Sequence, residues 1–317
     1  MLDTRDPIRY VSIMRIILNI TGRRTGRPLG ATGAAAALLL ALAAAPGLAA
    51  AADLAVETRL DPAPEAPPCE HGKAFTGDAT PVDPGHVEVE LAYAPTWWAT
   101  AGAVDRQEGQ QHQMGVGVGV GLLRDLDMRL VVSWAVVHAA PVTPGAPVHG
   151  GGLADTTVAA RWRFLHLAEP SIDLAVSAAV TAPTGVRASP EHLGTGGESW
   201  SLGGSVAASA DWGRFTVGLE LGFSAPLRGT ASNDVGLLVC NGAVGYQALP
   251  WLQPELELNY QHEIETGEER DEQVLWTTAA LVLPIDPVRV LVGARFPVLA
   301  RNTTVGPMAT AAVKVAF

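Results

Sequence analysis

Residues 305–317 read V-G-P-M-A-T-A-A-V-K-V-A-F. Counting back from the end, Phe317, Val315, Val313, Ala311 and Ala309 share one face. Ala316, Lys314, Ala312, Thr310 and Met308 share the other. Side chains alternate across a strand, so this is a strand with one apolar and one partly polar face. In a soluble protein such a terminal edge strand invites aggregation, whereas in a closed barrel the last strand pairs with the first. The stretch predicts a closed barrel with this strand at its seam.

Working outward, the same period-2 alternation predicts eleven further strands, at 86–98, 111–123, 128–138, 154–164, 171–182, 199–212, 215–224, 235–247, 252–264, 274–283 and 288–298. The strand at 235–247 has two largely apolar faces and is the least patterned. Short turns at 124–127, 166–170, 213, 249–251 and 284–287 alternate with longer loops at 139–152, 183–197, 226–234, 265–272 and 299–304. Outer-membrane barrels have this asymmetry of short periplasmic turns and longer outer loops, and strands of ~9–11 residues cross the bilayer when tilted. The predicted fold is all-β, a transmembrane antiparallel barrel of about twelve strands with up-and-down topology. A large soluble β protein is the competing reading; its strands would usually be nearer five or six residues. Trp97, Trp98, Trp200, Trp212 and Trp251 fall at strand ends, where interfacial aromatic girdles sit. Trp134, Trp162 and Trp276 fall on strands.

The 317 residues carry a formal net charge of −11, 48% hydrophobic residues, 34 Gly, 23 Pro and 2 Cys. Residues 1–52 read as a signal peptide. Arg23, Arg24 and Arg27 make a basic region, 34–45 an apolar core, and Pro46 precedes a small-residue run that offers a cleavage site. Met14 is an alternative start, and an uncleaved anchor helix is the competing reading. Removing this segment takes 21 basic and 32 acidic residues to 15 and 30, which argues against nucleic acid as a partner. Residues 53–85 form a Pro-rich periplasmic linker, in which Pro62, Pro64, Pro67, Pro68, Pro81 and Pro84 interrupt any ladder. This segment is either a flexible tail or a small plug, and no periodicity supports the plug. Residues 86–317 form the barrel. Cys69 and Cys240 sit in such different settings that no structural bridge is expected.

The stretches P-G-H-V-E-V-E-L-A-Y (84–93), G-L-A-D-T-T-V-A-A-R-W-R-F-L (152–165), T-A-P-T-G (181–185), L-G-T-G-G-E-S-W-S-L-G (193–203) and P-E-L-E-L-N (254–259), with the terminal Phe317, carry a resemblance. Over roughly residues 86–317 the chain resembles a bacterial outer-membrane family known as the phenol-degradation (MetA-pathway) proteins, often called transporters. The resemblance implies an outer-membrane barrel linked to passage of small, often aromatic, molecules. It brings no catalytic set. It also implies that Phe317 belongs to a signal read by the barrel-assembly machinery.

By parity the inner face holds Glu88, Glu90, Arg129, Arg161, Arg163, Asp173, Glu220, Glu255, Glu257, Arg289, Arg295 and Lys314. Facing lipid at mid-depth would cost ~2–4 kcal/mol for each Arg or Lys, so these are candidate lumen-lining residues. Ladder order places Lys314 beside Glu88 or Glu90. It also sets Arg129 near Arg161 and Arg163, which repel unless Asp173 or a facing carboxylate compensates. Gly115, Gly117, Gly119 and Gly121 leave one wall of the lumen bare; they widen a path, accommodate a facing side chain or form a curvature seam. The histidines are scattered without ligand spacing, so no metal and no cofactor is expected. His262 with Asn259 is the one pair to name for a hydrolase. The reading is a narrow channel or transporter for small solutes, aromatic or hydrophobic ones among them, in contact with outer-membrane lipid and the assembly machinery. A non-conducting structural or interaction barrel is the alternative, and an outer-membrane hydrolase a third reading. Deleting Phe317 is expected to lower membrane insertion, measured as the heat-modifiable fraction in outer membranes, more than it alters the activity of what inserts; normal insertion of the deletion counts against the assembly role.

Overall fold

The computed structural model describes residues 76–101, 106–140, 149–168, 171–189, 192–197, 199–227, 234–265, 272–301 and 305–317. The signal peptide expected at 1–52, Cys69 and most of the linker expected at 53–85 lie outside the described residues. Thirteen strands and no helix are found among them: β1 (Val87–Ala101), β2 (Arg106–Leu123), β3 (Leu126–Ala139), β4 (His149–Leu153), β5 (Thr156–Ala168), β6 (Ser171–Ala182), β7 (Ser201–Trp212), β8 (Phe215–Pro226), β9 (Asp234–Tyr246), β10 (Gln253–Glu265), β11 (Glu272–Ile285), β12 (Val288–Arg301) and β13 (Met308–Ala316).

All pairings are antiparallel and join each stave to the next, and β13 returns to pair with β1, so the sheet closes into a barrel. The wall has twelve staves, because β4 and β5 share one. The loop half of β3 pairs with β4 (His138 opposite His149) and its turn half with β5 (Asp127 opposite Arg161). Between them Ala154 donates its N–H to the Ser133 carbonyl at 2.8 Å, which carries the ladder across the break. The sequence places a loop at 139–152, yet 149–153 are strand. The segment H-G-G-G-L shows no apolar alternation, because its inner positions are glycines. A β-carbon on Gly150 would run into the backbone of Leu193, which lies against it.

Alternation sorts the side chains as the period requires. On β10, Gln253, Glu255, Glu257, Asn259 and Gln261 are buried inside, while Leu256 and Leu258 are 58% and 54% exposed outside. The outer surface carries a band of exposed Leu, Val, Met and aromatic side chains around the wall, including Leu91, Met114, Leu130, Val206, Leu219, Leu221 and Val292. Trp212, Phe215, Tyr246 and Trp251 are exposed near the short-turn end, and Trp97 and Trp200 near the loop end, as aromatic girdles are. Trp276 differs. It is fully buried on the inner face, packed with Ala94, Val274 and Met308, and Arg295 lies over its ring at 4.8 Å. Its parity on β11 decides this, since Thr278, Ala280 and Val282 on the same face are also buried. Cys240 points outward from β9 as a free thiol.

At the seam, Lys314 stands opposite Glu90 in register and reaches Glu88 Oε2 at 2.6 Å. Phe317 exchanges two backbone hydrogen bonds with Val87, at 2.9 and 3.1 Å. The Lys314–Glu88 pair is about one-quarter exposed at both ends, so it is desolvated enough to contribute. Glu88→Gln is expected to remove about 1–2 kcal/mol of barrel stability, read as a lower urea midpoint for the heat-modifiable form. The exchange Glu88→Lys with Lys314→Glu should recover most of it; an unchanged midpoint in the single variant would remove the pair from the seam's energetics.

Candidate functional site

The turn half of the lumen is lined by ion pairs that run along and between neighbouring strands. Arg129 on β3 crosses β2 to meet Glu90 on β1 at 2.5 Å. It passes over Gly117, where even a β-carbon would sit 3.0 Å from Arg129 Nη2. Arg161 on β5 pairs with Asp127 on β3. Arg163 bridges Asp125 at 2.7 Å and Asp173 at 3.4 Å. A bulge after Arg163 turns His166 towards Asp173, which it meets at 2.6 Å. The expected repulsion among Arg129, Arg161 and Arg163 is thus answered arginine by arginine. Asp173 was legible in advance, whereas Asp127 sits inside a stretch that reads as a turn. Arg289 stands opposite Lys314 on the seam side.

Above this girdle a polar ladder climbs β8 to β11. Asn241 donates to Glu220 at 2.9 Å. Asn259 donates to Glu257 at 3.1 Å and to Asn241 at 3.3 Å, and Thr278 donates to Asn259 at 2.9 Å. Glu257, Asn259 and Thr278 are fully buried and Arg295, opposite Thr278, is nearly so. Gln253 donates to Glu255 at 3.5 Å. Buried amides and carboxylates held this way are satisfied by side chains of the wall itself. In the loop half, two apolar patches interrupt the polar lining. One is Trp276, Met308, Ala94 and Val274 with Val305; the other is Val137, Ala139 and Leu193.

Leu193 belongs to the connection between β6 and β7, whose described part folds inward against β4. Asp155, at the β4–β5 break, accepts the Gly185 N–H at 3.0 Å and the Gly197 N–H at 2.6 Å. Thr195 donates to the Leu153 carbonyl at 2.5 Å. The close approach of Gly185, Gly196 and Asp155 leaves no room for a β-carbon at either glycine.

The largest surprise lies in the segment before β1. Residues 76–83 run inside the barrel as an extended strap. The Gly77 N–H donates to Glu220 at 2.8 Å, the Ala79 N–H to Ser209 at 3.2 Å and the Val82 N–H to Asp127 at 2.9 Å. Thr80 Oγ1 donates to Asp173 at 3.1 Å. In return Ser209 donates to Asp78 at 3.0 Å and Arg161 to the Asp78 carbonyl at 2.8 Å. Ala79 is fully buried among Ala175 and Ala207. The strap leaves through a parallel bridge between Pro84 and Gly121, where Gly85 donates to the Gly121 carbonyl at 3.0 Å. The bare glycine wall now has an occupant. Val82 lies over Gly119, and a β-carbon on Gly121 would run into the backbone of Val82 and Asp83.

Of the twelve lumen-lining candidates, the structure gathers Glu88, Glu90, Arg129, Arg161, Arg163, Asp173 and Lys314 in the turn half, with Arg289 in register beside them. It sets Glu220, Glu255, Glu257 and Arg295 on the ladder side. Inner residues outside the twelve candidates include Asp78, Asp127, Asp155, Ser209 and Asn241, of which Asp155 and Ser209 lie on strand faces that already read as polar. Asn259 and His262 lie on opposite faces of β10, Asn259 buried inside and His262 beside Tyr260 outside. Among the described residues no three His, Cys, Asp or Glu are grouped as metal ligands.

No protein-family model matches the chain, and no curated protein does. Solved structures do. The chain is similar to an outer membrane channel from Pseudomonas putida F1, with TM-score 0.64 and 12% identity over 77% of this chain and 100% of that one. It is also similar to the KdgM porin, with TM-score 0.46 and 9% identity over 73% of this chain and 99% of that one. The NanC porin has TM-score 0.46 and 9% identity over 72% and 98%. At 12% identity the first likeness shows a shared fold, the closed barrel of outer-membrane channels.

Gly121→Val is expected to dislodge the strap at its exit, read as new proteolytic cleavage between residues 76 and 84 in the folded, heat-modifiable protein. Gly242→Ala, whose β-carbon would meet Leu219 at an ordinary 3.4 Å, should leave cleavage unchanged. Equal protection in both variants would show that the glycine wall does not seat the strap.

Proposed function

We propose that the protein is a bacterial outer-membrane channel for small solutes, narrowed in its turn half by the strap. One observation carries this reading. The inner wall is lined with charged and hydrogen-bonding side chains along its height, from Glu88 and Arg129 through Glu220 and Asn259 to Thr96 and Gln111. A barrel that serves only as a wall gains nothing from such a lining. Satisfied buried polar networks are no more stabilising than apolar packing, whereas a solute path needs polar groups to replace water. With short turns on the periplasmic side, the strap enters from the periplasm and the apolar patches lie towards the outside. Those patches, with the family resemblance of residues 86–317, favour small apolar or aromatic solutes at the outer half. No catalytic constellation is assigned, and the reading is non-enzymatic.

A second reading, a non-conducting barrel, draws on the same strap and on the full burial of Trp276, Glu257 and Thr278. Planar bilayers separate the two. Inner carboxylates (Asp78, Glu88, Glu90, Asp127, Asp155, Asp173, Glu220, Glu255, Glu257) outnumber inner cations (Arg129, Arg161, Arg163, Arg289, Arg295, Lys314). The full-length protein should therefore show small single-channel conductance with a weak preference for potassium over chloride, measured as reversal potential in a salt gradient. Absence of conductance, together with no flux of small solutes into liposomes, would leave the non-conducting barrel.

A further inference from the structure

We infer that residues 76–83 are a displaceable internal ligand of the barrel wall, and that the seat they vacate is a binding path for cationic or hydrogen-bond-donating solutes. This rests on the channel reading above.

The strap is held differently from the strands. Beyond the Pro84–Gly121 bridge it makes no backbone ladder with the wall. Its backbone is held by side chains instead, so it can leave without breaking a single pairing of the barrel. Pro81 lacks an N–H and interrupts any ladder that could form. Most of the contacts also share a direction, the exceptions being Ser209 and Arg161, which donate back to Asp78. Gly77, Ala79 and Val82 donate their N–H groups, and Thr80 its hydroxyl, to Glu220, Ser209, Asp127 and Asp173. The wall therefore presents four acceptors, on four different strands, to a chain of donors.

Displacing the strap leaves these acceptors facing the path. Asp127 and Asp173 keep Arg161 and Arg163, and Glu220 keeps Asn241. What each loses is a donor, while Arg161 and Ser209 lose the Asp78 oxygens that accept from them. A buried acceptor that loses its donor is costly, so water or an entering solute must replace it. Ammonium groups, amides and polyols can; chloride, carboxylates and plain hydrocarbons cannot. The steric side of the seat is equally specific, since Gly119, Gly121, Ala175 and Ala207 keep that part of the wall low.

The test uses the full-length chain with Cys69→Ser and Cys240→Ser, carrying Ala79→Cys with Ser209→Cys. A second pair, Ala79→Cys with Ala207→Cys, covers failure of the first to fold. Oxidation should cross-link the strap to β7 and lower conductance several-fold, and dithiothreitol should restore it. Gly121→Val in the same background should raise conductance and shift the potassium-over-chloride permeability ratio several-fold towards potassium. Added spermidine should block this variant at lower concentration than it blocks the wild type. Failure of both pairs to cross-link, or equal conductance before and after reduction, overturns the strap while leaving the channel standing. A vacated seat that favours chloride or ignores spermidine overturns the solute class. Silence of every variant, reduced ones included, overturns the channel reading itself.

Discussion

A wall that crosses lipid must pair every backbone N–H and C=O within itself, since no water is there to do it. The β1–β13 seam is where this chain meets that requirement. Register across it is continuous from Glu88 opposite Ala316 to Thr96 opposite Met308. The terminal Phe317 still exchanges hydrogen bonds with Val87 though its ring is mostly exposed. The whole construction depends on this closure. The same demand explains the split stave. Where the β3 partner breaks at Ala154 and Asp155, Ala154 bonds to Ser133 and Asp155 takes up two loop amides, so the gap in the ladder is not left unsatisfied.

Closure with twelve staves leaves a narrow interior, and that narrowness sets how charge is handled. The inner ion pairs lie between close strands: Glu88 with Lys314, Glu90 with Arg129, Asp127 with Arg161. Salt bridges buried this way are weak stabilisers and are worse when one partner is missing. Their use here is to fix side chains flat against the wall. Arg129 can lie flat because Gly117 is beneath it. The strap can lie flat because Gly119 and Gly121 are beneath it. One glycine series therefore serves two occupants, and neither would fit over a row of branched side chains.

Much of this was legible. Period-2 alternation with alternating loop lengths specifies strands, order and closure, because a strand has only two faces and lipid tolerates one kind of side chain. The strand at 171–182 is found at its expected bounds, and the inward charges follow from parity alone. Three features were not legible, each for a physical reason. β4 has glycines where an apolar signal would be. Trp276 has the residue type of a girdle, and only its shared face with Arg295 and Met308 puts it inside. The strap has no periodicity because it pairs through side chains: Gly77 with Glu220 and Ala79 with Ser209 are 143 and 130 residues apart.

By itself the sequence determined the wall: its strands, its two faces, the side on which charge must sit and the strand that closes it. These follow from local periodicity and from the solvation cost of charge in lipid, both of which act residue by residue. Only the tertiary structure decided which carboxylate meets which arginine, that a proline-rich segment enters the lumen, and what the bare glycines are for. Those depend on shear and curvature, which bring residues far apart in the chain against one another inside the barrel, and no local pattern records that.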